Sequence, residues 1–460
     1  MLAFRGTSSF LMTCLLAFGI GCSDDDEASP PPEDCVMSDW TDWSECTEEC
    51  DTGMQTRTRT IVTPASGGGA ACGATEETQT CNEDPCLRLN HVQVIGSHNS
   101  YKIQPSDGLY DAIEVVYQNF CLDEEEPPNL LPVCDGVANP EGLVYSHPPL
   151  ADQFENQGIR QIELDVWVDR DGGKFADPFG PPTAGLLGYE IGPDFDPDDE
   201  MLEPGIKVFH VQDIDFRSQC LSWIKCLEAL EDWSSSNPNH LPIIILVELK
   251  QGTIELPPEI SVALGIAFVE PTLWEEQDLR QLQDDIRTVF HDTQIILPAD
   301  VRADADTLYE AITNQGWPRI SDVRGKVLFA LDNGGSTMDL YRNDVYPDLM
   351  DRILFTSSPV GDPDSGFRKE NDPFQGDIEE LVANGFIVRT RADADTVEAR
   401  TNDTSQRDRA LESGAQYVST DYREANLDFS DYSVSLPGDA VARCNPINAP
   451  PNCVSEALAP

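Results

Sequence analysis

The chain has few basic residues for its length. It carries 29 lysines and arginines against 83 aspartates and glutamates in 460 residues, which gives a formal net charge of −54. A polyanion of this size does not bind nucleic acid non-specifically, and it does not attach to an anionic membrane through a basic surface. An anionic substrate must therefore be met by cations gathered at one place.

Long apolar stretches are also absent from the sequence. An apolar run over residues 10–20 follows Arg5 and ends just before Cys22, and it is too short to span a bilayer. This is the pattern of a secretory signal. Residues 1–22 resemble a bacterial lipoprotein signal, in which Cys22 is lipidated, although Gly19 stands where leucine is usual. A plain signal peptide is the alternative, and in both cases we expect an exported protein, anchored in the cell envelope or secreted.

The cysteines lack histidines at metal-ligand spacing, which argues against a zinc site. Of the 14 cysteines, Cys14 and Cys22 belong to the signal, six lie within residues 35–86, and six form close pairs further on. Even counts at short spacing indicate disulfides formed in an oxidising compartment. The pairs predict three local bonds in the rest of the chain: Cys121–Cys134, Cys220–Cys226 and Cys444–Cys453.

Composition divides the rest of the chain into four segments. Residues 23–34 form an acidic, proline-rich linker. Residues 35–86 form a module too small to be held together by a hydrophobic core, so disulfides are expected there. Residues 88–435 form a large domain, and residues 436–460 form a C-terminal tail.

The small module is rich in tryptophan and arginine. Trp40 and Trp43 precede Cys46 in a W-x-x-W-S-x-C motif, and Arg57 and Arg59 form an R-x-R motif. Indoles and guanidinium groups on facing strands can stack as cation–π pairs. The module resembles a thrombospondin type 1 repeat. That resemblance implies a protein or glycan partner, with a stiff spacer as the alternative role, and it implies the disulfides Cys35–Cys72, Cys46–Cys81 and Cys50–Cys86.

Short apolar and β-branched runs recur through the large domain, with helical or loop material between them. Continuous apolar strands that alternate with helices indicate a parallel sheet covered by helices. Eight such runs predict an α/β fold, a (β/α)8 TIM-like barrel with the small β module at its N-terminus. The predicted strands are residues 91–97, 161–168, 206–211, 243–250, 326–332, 353–356, 386–391 and 417–421.

The second predicted strand carries two carboxylates. Its period of two places Glu163 and Asp165 on one face and Ile162, Leu164 and Val166 on the other. Two carboxylates on one face repel each other unless a cation or a proton relieves them. A pair of surface acids on an edge strand is the alternative interpretation.

Polar side chains collect at the carboxyl ends of the predicted strands, which is where the site of such a barrel lies. Oxygen ligands suit Ca²⁺, and Mg²⁺ less well. Two histidines beside a carboxylate-bound cation suit phosphodiester cleavage by acid and base catalysis, and nearby bases supply the positive potential that an anionic substrate needs. The candidate ligands are Asn99, Glu163, Asp165 and Glu248, the histidines are His98 and His210, and the bases are Lys250, Arg389 and Arg391.

At these residues the chain resembles the Ca²⁺-dependent phosphatidylinositol-specific phospholipases C. The matching stretches cover essentially the whole of residues 88–435 and run in family order: residues 95–101, 158–167, 208–210, 242–248, 385–393 and 414–422. The resemblance implies that His98 and His210 are the catalytic pair, that the four ligands above bind Ca²⁺, and that Lys250 contacts the phosphate or the inositol ring. It also implies attack by the inositol 2-hydroxyl, which yields a cyclic inositol phosphate and diacylglycerol.

The sequence departs from the family pattern in two places, and other functions stay open. Asp213 follows His210 within a Val-Gln-Asp run where eukaryotic enzymes carry Gly-His-Thr, so it could be a further ligand or could orient a histidine. The long loop of residues 169–205 is a lid, a specificity loop or a plain insertion. A glycerophosphodiester or sphingomyelin phosphodiesterase on the same barrel is one alternative. A surface adhesion or glycan-binding protein with an inactive barrel is another.

Overall fold

The structure is a computed structural model that describes residues 30–83, 86–120, 140–255, 261–262, 265–342 and 348–458. The chain divides into a small N-terminal unit and a large unit, with the boundary between residues 84 and 85. The predicted signal with Cys22 and the predicted Cys121–Cys134 bond lie outside the described residues. Within the described part of the chain, no helix combines the length and the apolar character needed to cross a membrane.

The N-terminal unit consists of two short antiparallel pairs held by disulfides. Strand β1 (Val36–Met37) pairs with β3 (Ile61–Thr63), and β2 (Gly53–Thr58) pairs with β4 (Glu76–Cys81). The disulfides confirm the predicted set: Cys35–Cys72 and Cys46–Cys81 are formed, and Cys50 and Cys86 are both disulfide-bonded.

The predicted cation–π pairs are formed in this unit. The guanidinium of Arg57 lies 4.6 Å from the ring centre of Trp43, and that of Arg59 lies 4.3 Å from the ring centre of Trp40. Arg57 also lies 5.0 Å from the Trp40 ring. Stacked side chains and disulfides thus replace the hydrophobic core that so short a module cannot build.

The large unit is a nearly closed barrel of eight parallel strands, as predicted. The order around the barrel is β10-β9-β8-β6-β5-β13-β12-β11, and a parallel bridge between Thr356 and Ser365 joins its two ends. The strands are β5 (Val92–Ser97), β6 (Gln161–Asp169), β8 (Ile243–Leu249), β9 (Val327–Leu331), β10 (Leu354–Phe355), β11 (Phe367–Lys369), β12 (Ile387–Arg391) and β13 (Tyr417–Thr420).

The third predicted strand is not part of the parallel set. The segment forms β7 (Gly205–Val208), which pairs antiparallel with the end of β6, Val208 opposite Val166. The missing parallel strand is β11, whose sequence Phe-Arg-Lys is short and charged and so gives no apolar run. The prediction of eight strands was right in number and wrong in this member.

The segment after residue 435 contributes to the sheet. Strand β14 (Ala442–Cys444) pairs antiparallel with the first half of β5, while β6 pairs with β5 only at Gly96. Leu458 is buried in the barrel core. The predicted bonds Cys220–Cys226 and Cys444–Cys453 are both formed.

Helices cover the outside of the barrel. The helix Glu276–Val289 shows why they form, because Leu279, Leu282 and Ile286 recur at intervals of three and four and face the sheet. The described helices are α1 (Asp107–Phe120), α2 (Leu150–Glu155), α3 (Gly180–Leu187), α4 (Trp223–Ser236), α5 (Glu276–Val289), α6 (Pro298–Arg302), α7 (Leu308–Asn314), α8 (Ile320–Val323), α9 (Gly335–Arg342), α10 (Ile378–Ala383), α11 (Val397–Thr401) and α12 (Ser405–Glu412).

The insertion between β6 and β7 carries its own apolar cluster. The ring of Trp167 stacks on Phe209 with a centroid distance of 5.1 Å, and Phe175 and Met201 pack beside them. The indole nitrogen of Trp167 also donates to the carbonyl of Phe209 at 2.8 Å. The insertion thereby fixes the segment that leads into His210.

Candidate active site

The barrel interior changes from apolar to charged along the strands. Ile244 and Leu246 of β8 belong to the interior core, and Glu248 follows them on the same face. Glu163 and Asp165 of β6 point inward in the same way, while Ile162, Leu164 and Val166 pack against the helices. In the β6–β8 register Asp165 lies directly opposite Glu248.

Three carboxylates converge at the carboxyl end of the barrel. Glu163, Glu248 and Asp332 each offer an oxygen, and these oxygens lie within 4.8 Å of one another. Asp332 is absent from the predicted ligand set. It follows the apolar strand β9 directly, so the strand-end signal that pointed to Glu248 applied to it as well.

Asp165 lies beside this cluster and is fully buried. Lys250 Nζ lies 3.2 Å from Asp165 Oδ2 and 3.3 Å from Glu248 Oε1. Neither carboxylate oxygen of Asp165 accepts a hydrogen bond from the described residues. Buried carboxylate oxygens that accept no hydrogen bond, with one ammonium beside Oδ2, suit a further bound cation.

The electrostatics of the acids point the same way. Burial raises the pKa of Glu163 to about 7, with Asp332 and Glu248 adding to the effect and Arg389 opposing it. Burial also raises the pKa of Asp165 well above its usual value, against the pull of Lys250. A divalent cation would relieve this repulsion, and a set of oxygen donors fits Ca²⁺.

Asn99 is buried immediately after β5 in a left-handed conformation, with φ of 45°. Its Nδ2 donates to the hydroxyl of Tyr145 at 2.9 Å, and the hydroxyl of Tyr101 lies 3.4 Å from its Oδ1. The amide nitrogen is therefore held by Tyr145, which leaves the oxygen as the ligand atom. The next residue, Ser100, bonds to the backbone of Glu163.

Each candidate catalytic histidine is paired with an aspartate. His98 Nδ1 lies 2.7 Å from Asp421 Oδ1, and His210 Nδ1 lies 2.7 Å from Asp215 Oδ2. Burial lowers the pKa of His98 well below its usual value, and Arg391 and Arg389 lower it further. Burial also lowers the pKa of His210, against the opposing effect of the hydrogen bond that the ring donates to Asp215. Both rings are therefore mainly neutral near pH 7.

Asp215, not Asp213, orients His210. Asp213 accepts hydrogen bonds from the backbone N–H groups of Phe179 at 3.1 Å and Val269 at 2.7 Å. It thus joins the insertion to the segment that follows β8 and contacts neither the histidine nor the acid cluster. Sequence reasoning missed Asp215 because the turn after β7 decides which of two nearby aspartates meets the ring.

The predicted basic residues occupy different depths. Arg389 is buried, with Nη2 2.5 Å from Glu163 Oε2 and Nη1 bonded to Asn371 Oδ1. Arg391 Nη2 lies 3.5 Å from Asp421 Oδ2. The cations with more exposed side chains are Lys250 and Lys369, the latter 2.5 Å from Asp332 Oδ2. Lys369 was missed because it belongs to the unpredicted strand β11.

Two family matches cover most of the chain. Residues 87–446 match the family described as phosphoinositide phospholipase C, Ca²⁺-dependent. Residues 35–86 match the spondin-like TSP1 domain.

Curated relatives share short stretches with the chain. Thrombospondin type-1 domain-containing protein 7A of Mus musculus is 42% identical over 57 residues, which is 12% of this chain and 4% of that protein. Spondin-1 of Rattus norvegicus is 42% identical over 78 residues, which is 17% of this chain and 10% of that protein. The chain thus spans a tenth or less of the length of these relatives.

Solved structures that align with the chain include two bacterial enzymes. A calcium-dependent phosphoinositol-specific phospholipase C from a Pseudomonas species aligns with a TM-score of 0.43 and 15% identity, covering 78% of this chain and 95% of that one. A Ca²⁺-dependent phosphatidylinositol-specific phospholipase C from Streptomyces antibioticus aligns with a TM-score of 0.40 and 14% identity, covering 73% and 95%.

Proposed function

The chain belongs to the Ca²⁺-dependent phosphoinositide phospholipase C family, and from this premise we propose that it cleaves phosphatidylinositol into diacylglycerol and a cyclic inositol phosphate. One observation carries the proposal. Two histidines, each with a carboxylate on Nδ1, lie with a cluster of buried and half-buried acids at the carboxyl end of one barrel. That arrangement supplies a base, an acid and a cation site for one phosphodiester.

His98 acts as the base in this proposal. Its lowered pKa keeps the ring neutral, so Nε2 can take the proton of the inositol 2-hydroxyl. Asp421 on Nδ1 fixes the tautomer and stabilises the imidazolium that forms. The hydroxyl oxygen then attacks phosphorus and closes the cyclic diester.

His210 acts as the acid. It gives its proton to the alkoxide of the leaving diacylglycerol, and Asp215 holds the ring in place while the proton moves. Burial lowers the pKa of His210, but the negative charge of a bound phosphodiester acts in the opposite direction. Substrate binding therefore favours the protonated ring that the acid requires.

In this proposal Asn99, Glu163, Asp165 and Glu248 would hold Ca²⁺, and Asp332, whose carboxylate converges with those of Glu163 and Glu248, would add a further ligand. Bound Ca²⁺ would offset charge on the phosphoryl oxygen and lower the pKa of the attacking hydroxyl. Lys250 contacts the phosphate or the ring, together with Lys369. Arg389 pairs with Glu163, and Arg391 pairs with Asp421. From these positions the two arginines maintain positive potential at the site of a strongly acidic protein.

We also propose that the protein is exported as a lipoprotein and that its small module binds a protein or glycan partner. Export as a lipoprotein through Cys22 is consistent with disulfides such as Cys220–Cys226, which persist outside the cytoplasm. The module presents a ladder of Trp40, Trp43, Arg57 and Arg59, which suits a protein or glycan partner. Mass spectrometry of the N-terminus tests lipidation, because an unmodified Cys22 in the mature protein would contradict it.

The test of function is turnover by the full chain of four substrates, each with Ca²⁺ and with EDTA. The substrates are phosphatidylinositol, phosphatidylcholine, glycerophosphoinositol and sphingomyelin. We expect cleavage of phosphatidylinositol that EDTA stops and Ca²⁺ restores. Preference for another substrate would contradict the headgroup assignment, and full activity in EDTA would contradict the metal. Cleavage of none would favour a binding protein on an inactive barrel.

A further inference from the structure

A lysine with no exposed surface lies beside Asp215, the aspartate that meets His210. Lys102 follows β5, and its Nζ lies 2.7 Å from the carbonyl oxygen of Leu143 and 3.1 Å from Asp215 Oδ1. The same ammonium lies 4.5 Å from the ring centre of Tyr145. An ammonium is costly to bury unless a charge and hydrogen-bond acceptors compensate it. These three contacts provide that compensation.

Asp215 connects this lysine to His210. Its carboxylate is also buried, with Oδ1 facing Lys102 and Oδ2 2.7 Å from His210 Nδ1. Burial acts to raise the pKa of Asp215, but Lys102 and His210 outweigh it and the pKa is lowered. The carboxylate therefore stays ionised between its two partners.

The loop that carries Lys102 is joined to the loop that carries Asp215. The N–H of Ile103 donates to the carbonyl of Arg217 at 3.2 Å, and the N–H of Gln219 donates to the carbonyl of Tyr101 at 2.7 Å. The backbone thus fixes Lys102 against the loop after β7. Lys102 is set to hold Asp215, and it has no exposed surface from which to contact a substrate.

The base side of the site repeats the same order of groups. His98 meets Asp421 Oδ1, and Asp421 Oδ2 faces Arg391 at 3.5 Å. Each histidine thus contacts a carboxylate, and the second oxygen of each carboxylate faces a cation. Arg391 keeps some exposed surface, whereas Lys102 acts through Asp215 alone.

We propose that Lys102 is a positioning residue for His210. Its ammonium keeps Asp215 ionised and turns the second carboxylate oxygen toward Nδ1–H, so that Nε2 faces the substrate and carries the second proton, the one given to the leaving alkoxide, once substrate binding has protonated the ring. Among the described residues, none bonds to Nε2 of His210. The inference rests on the role proposed for His210 as the acid.

The first test is the substitution Lys102→Met, which keeps the length of the side chain and removes the charge. We expect kcat to fall about 10- to 100-fold with KM within about twofold, because the acid step and not substrate binding is affected. Lys207→Met is the matched control. Lys207 is equally buried, but its Nζ donates to the carbonyls of Glu200 and Glu203, so its loss should lower stability and leave kcat unchanged.

The second readout is the tautomer of the His210 ring. The chain has six histidines, so ¹⁵N spectra of histidine-labelled protein are simple enough to assign, with a His210→Gln sample marking the resonance. We expect the wild type to show the Nδ1–H tautomer, and Lys102→Met to show a mixture. This measurement needs no substrate and therefore decides the inference even if the proposed reaction is wrong.

A third variant keeps the test independent of folding. Lys102→Gln retains a donor for the Leu143 carbonyl. If Lys102→Met fails to fold, Lys102→Gln takes its place, and we expect the same fall in kcat from it. A folded Lys102 variant with wild-type kcat and an unchanged His210 spectrum would overturn the inference. So would a loss of kcat no larger than that of Lys207→Met.

Discussion

His98 and His210 receive their carboxylates from different parts of the chain. Asp421 is more than 300 residues from His98, whereas Asp215 is five residues from His210. The histidines could be predicted because each follows an apolar run. Their partners could not, because Asp215 depends on the turn that separates it from Asp213, and Lys102 depends on two loops meeting.

Substitution of either histidine tests the catalytic pair. His98→Ala and His210→Ala should each lower kcat by about 10³-fold, which is the contribution of one positioned acid or base. Thermal unfolding should show that both variants fold. His291→Ala is the control, since His291 is exposed and has no proposed part in the reaction. Near-normal turnover in either site variant would remove that residue from the mechanism.

Substitution of Asp332 tests the residue that sequence reasoning did not include. Asp332→Asn removes one carboxylate charge from the cluster, so we expect Ca²⁺ affinity measured by calorimetry to fall about tenfold, or about 1.4 kcal/mol. Asp339→Asn, an exposed carboxylate on α9, is the control and should leave affinity unchanged. Equal affinity in both variants would show that Asp332 does not contact the ion.

At the scale of elements, the strands with long apolar runs were predictable and the short ones were not. Strands β6 and β8 hold seven or more residues, nearly all buried. Strand β11 has three residues and two charges, and its charged side chains are paired, Arg368 with Glu370 and Lys369 with Asp332. Strand β7 resembled a barrel strand in sequence because Ile206 and Val208 are apolar and buried, as they would also be in a parallel strand of the barrel.

Strand β14 should be needed for a stable barrel. Truncation after residue 435 removes the strand that pairs with Val92–Val94 and also removes Leu458 from the core. Loss of the buried leucine alone costs about 1.5–3 kcal/mol, so urea unfolding should show a large loss of stability. Cys444→Ala with Cys453→Ala removes only the disulfide and should cost less. A truncated barrel as stable as the full chain would contradict the role of β14.

The histidine in the turn between α4 and β8, His240, should make the stability of the fold depend on pH. His240 is buried between the Ser234 hydroxyl at 2.7 Å and the Leu241 carbonyl at 2.6 Å, and burial lowers its pKa to about 4. As the pH falls, His240 takes up a proton near pH 6.5 in the unfolded chain but only near pH 4 in the folded one. Its contribution to stability is therefore present above pH 6.5 and is lost as the pH falls toward 4.

The size of this effect is measurable by urea unfolding. Between pH 7 and pH 5 we expect His240 to remove about 2 kcal/mol of unfolding free energy. His240→Gln should lose correspondingly less over that range, and His291→Gln, at an exposed site, should match the wild type. An equal pH dependence in the His240 variant would show that another group is responsible.

At the scale of the whole molecule, the distribution of charge matters more than its sum. A chain with a net charge of −54 brings Lys250, Lys369, Arg389 and Arg391 to the carboxyl end of one barrel, among acids that they partly neutralise. The acid pair of β6 and the histidines were enough to predict this end as the candidate site. How deeply each of these cationic side chains is buried could not be predicted, because it depends on how side chains pack inside the closed barrel.

Deletion of residues 1–86 tests the division of work between the two units. Every proposed catalytic group lies between residues 98 and 421, so the shortened protein should cleave a soluble substrate with kcat within about twofold of the full chain. Binding of a protein or glycan partner should be lost instead. A large drop in kcat would show that the small module is part of the enzyme.

The most direct test of the account is ³¹P NMR of the products formed from phosphatidylinositol by the full chain with Ca²⁺. If the inositol hydroxyl attacks phosphorus and His210 protonates the leaving alkoxide, the first phosphorus product is a five-membered cyclic phosphodiester, and His98→Ala, His210→Ala and EDTA each prevent its formation. A first product that is an open-chain phosphomonoester, with no cyclic species at any time, would contradict the proposed mechanism.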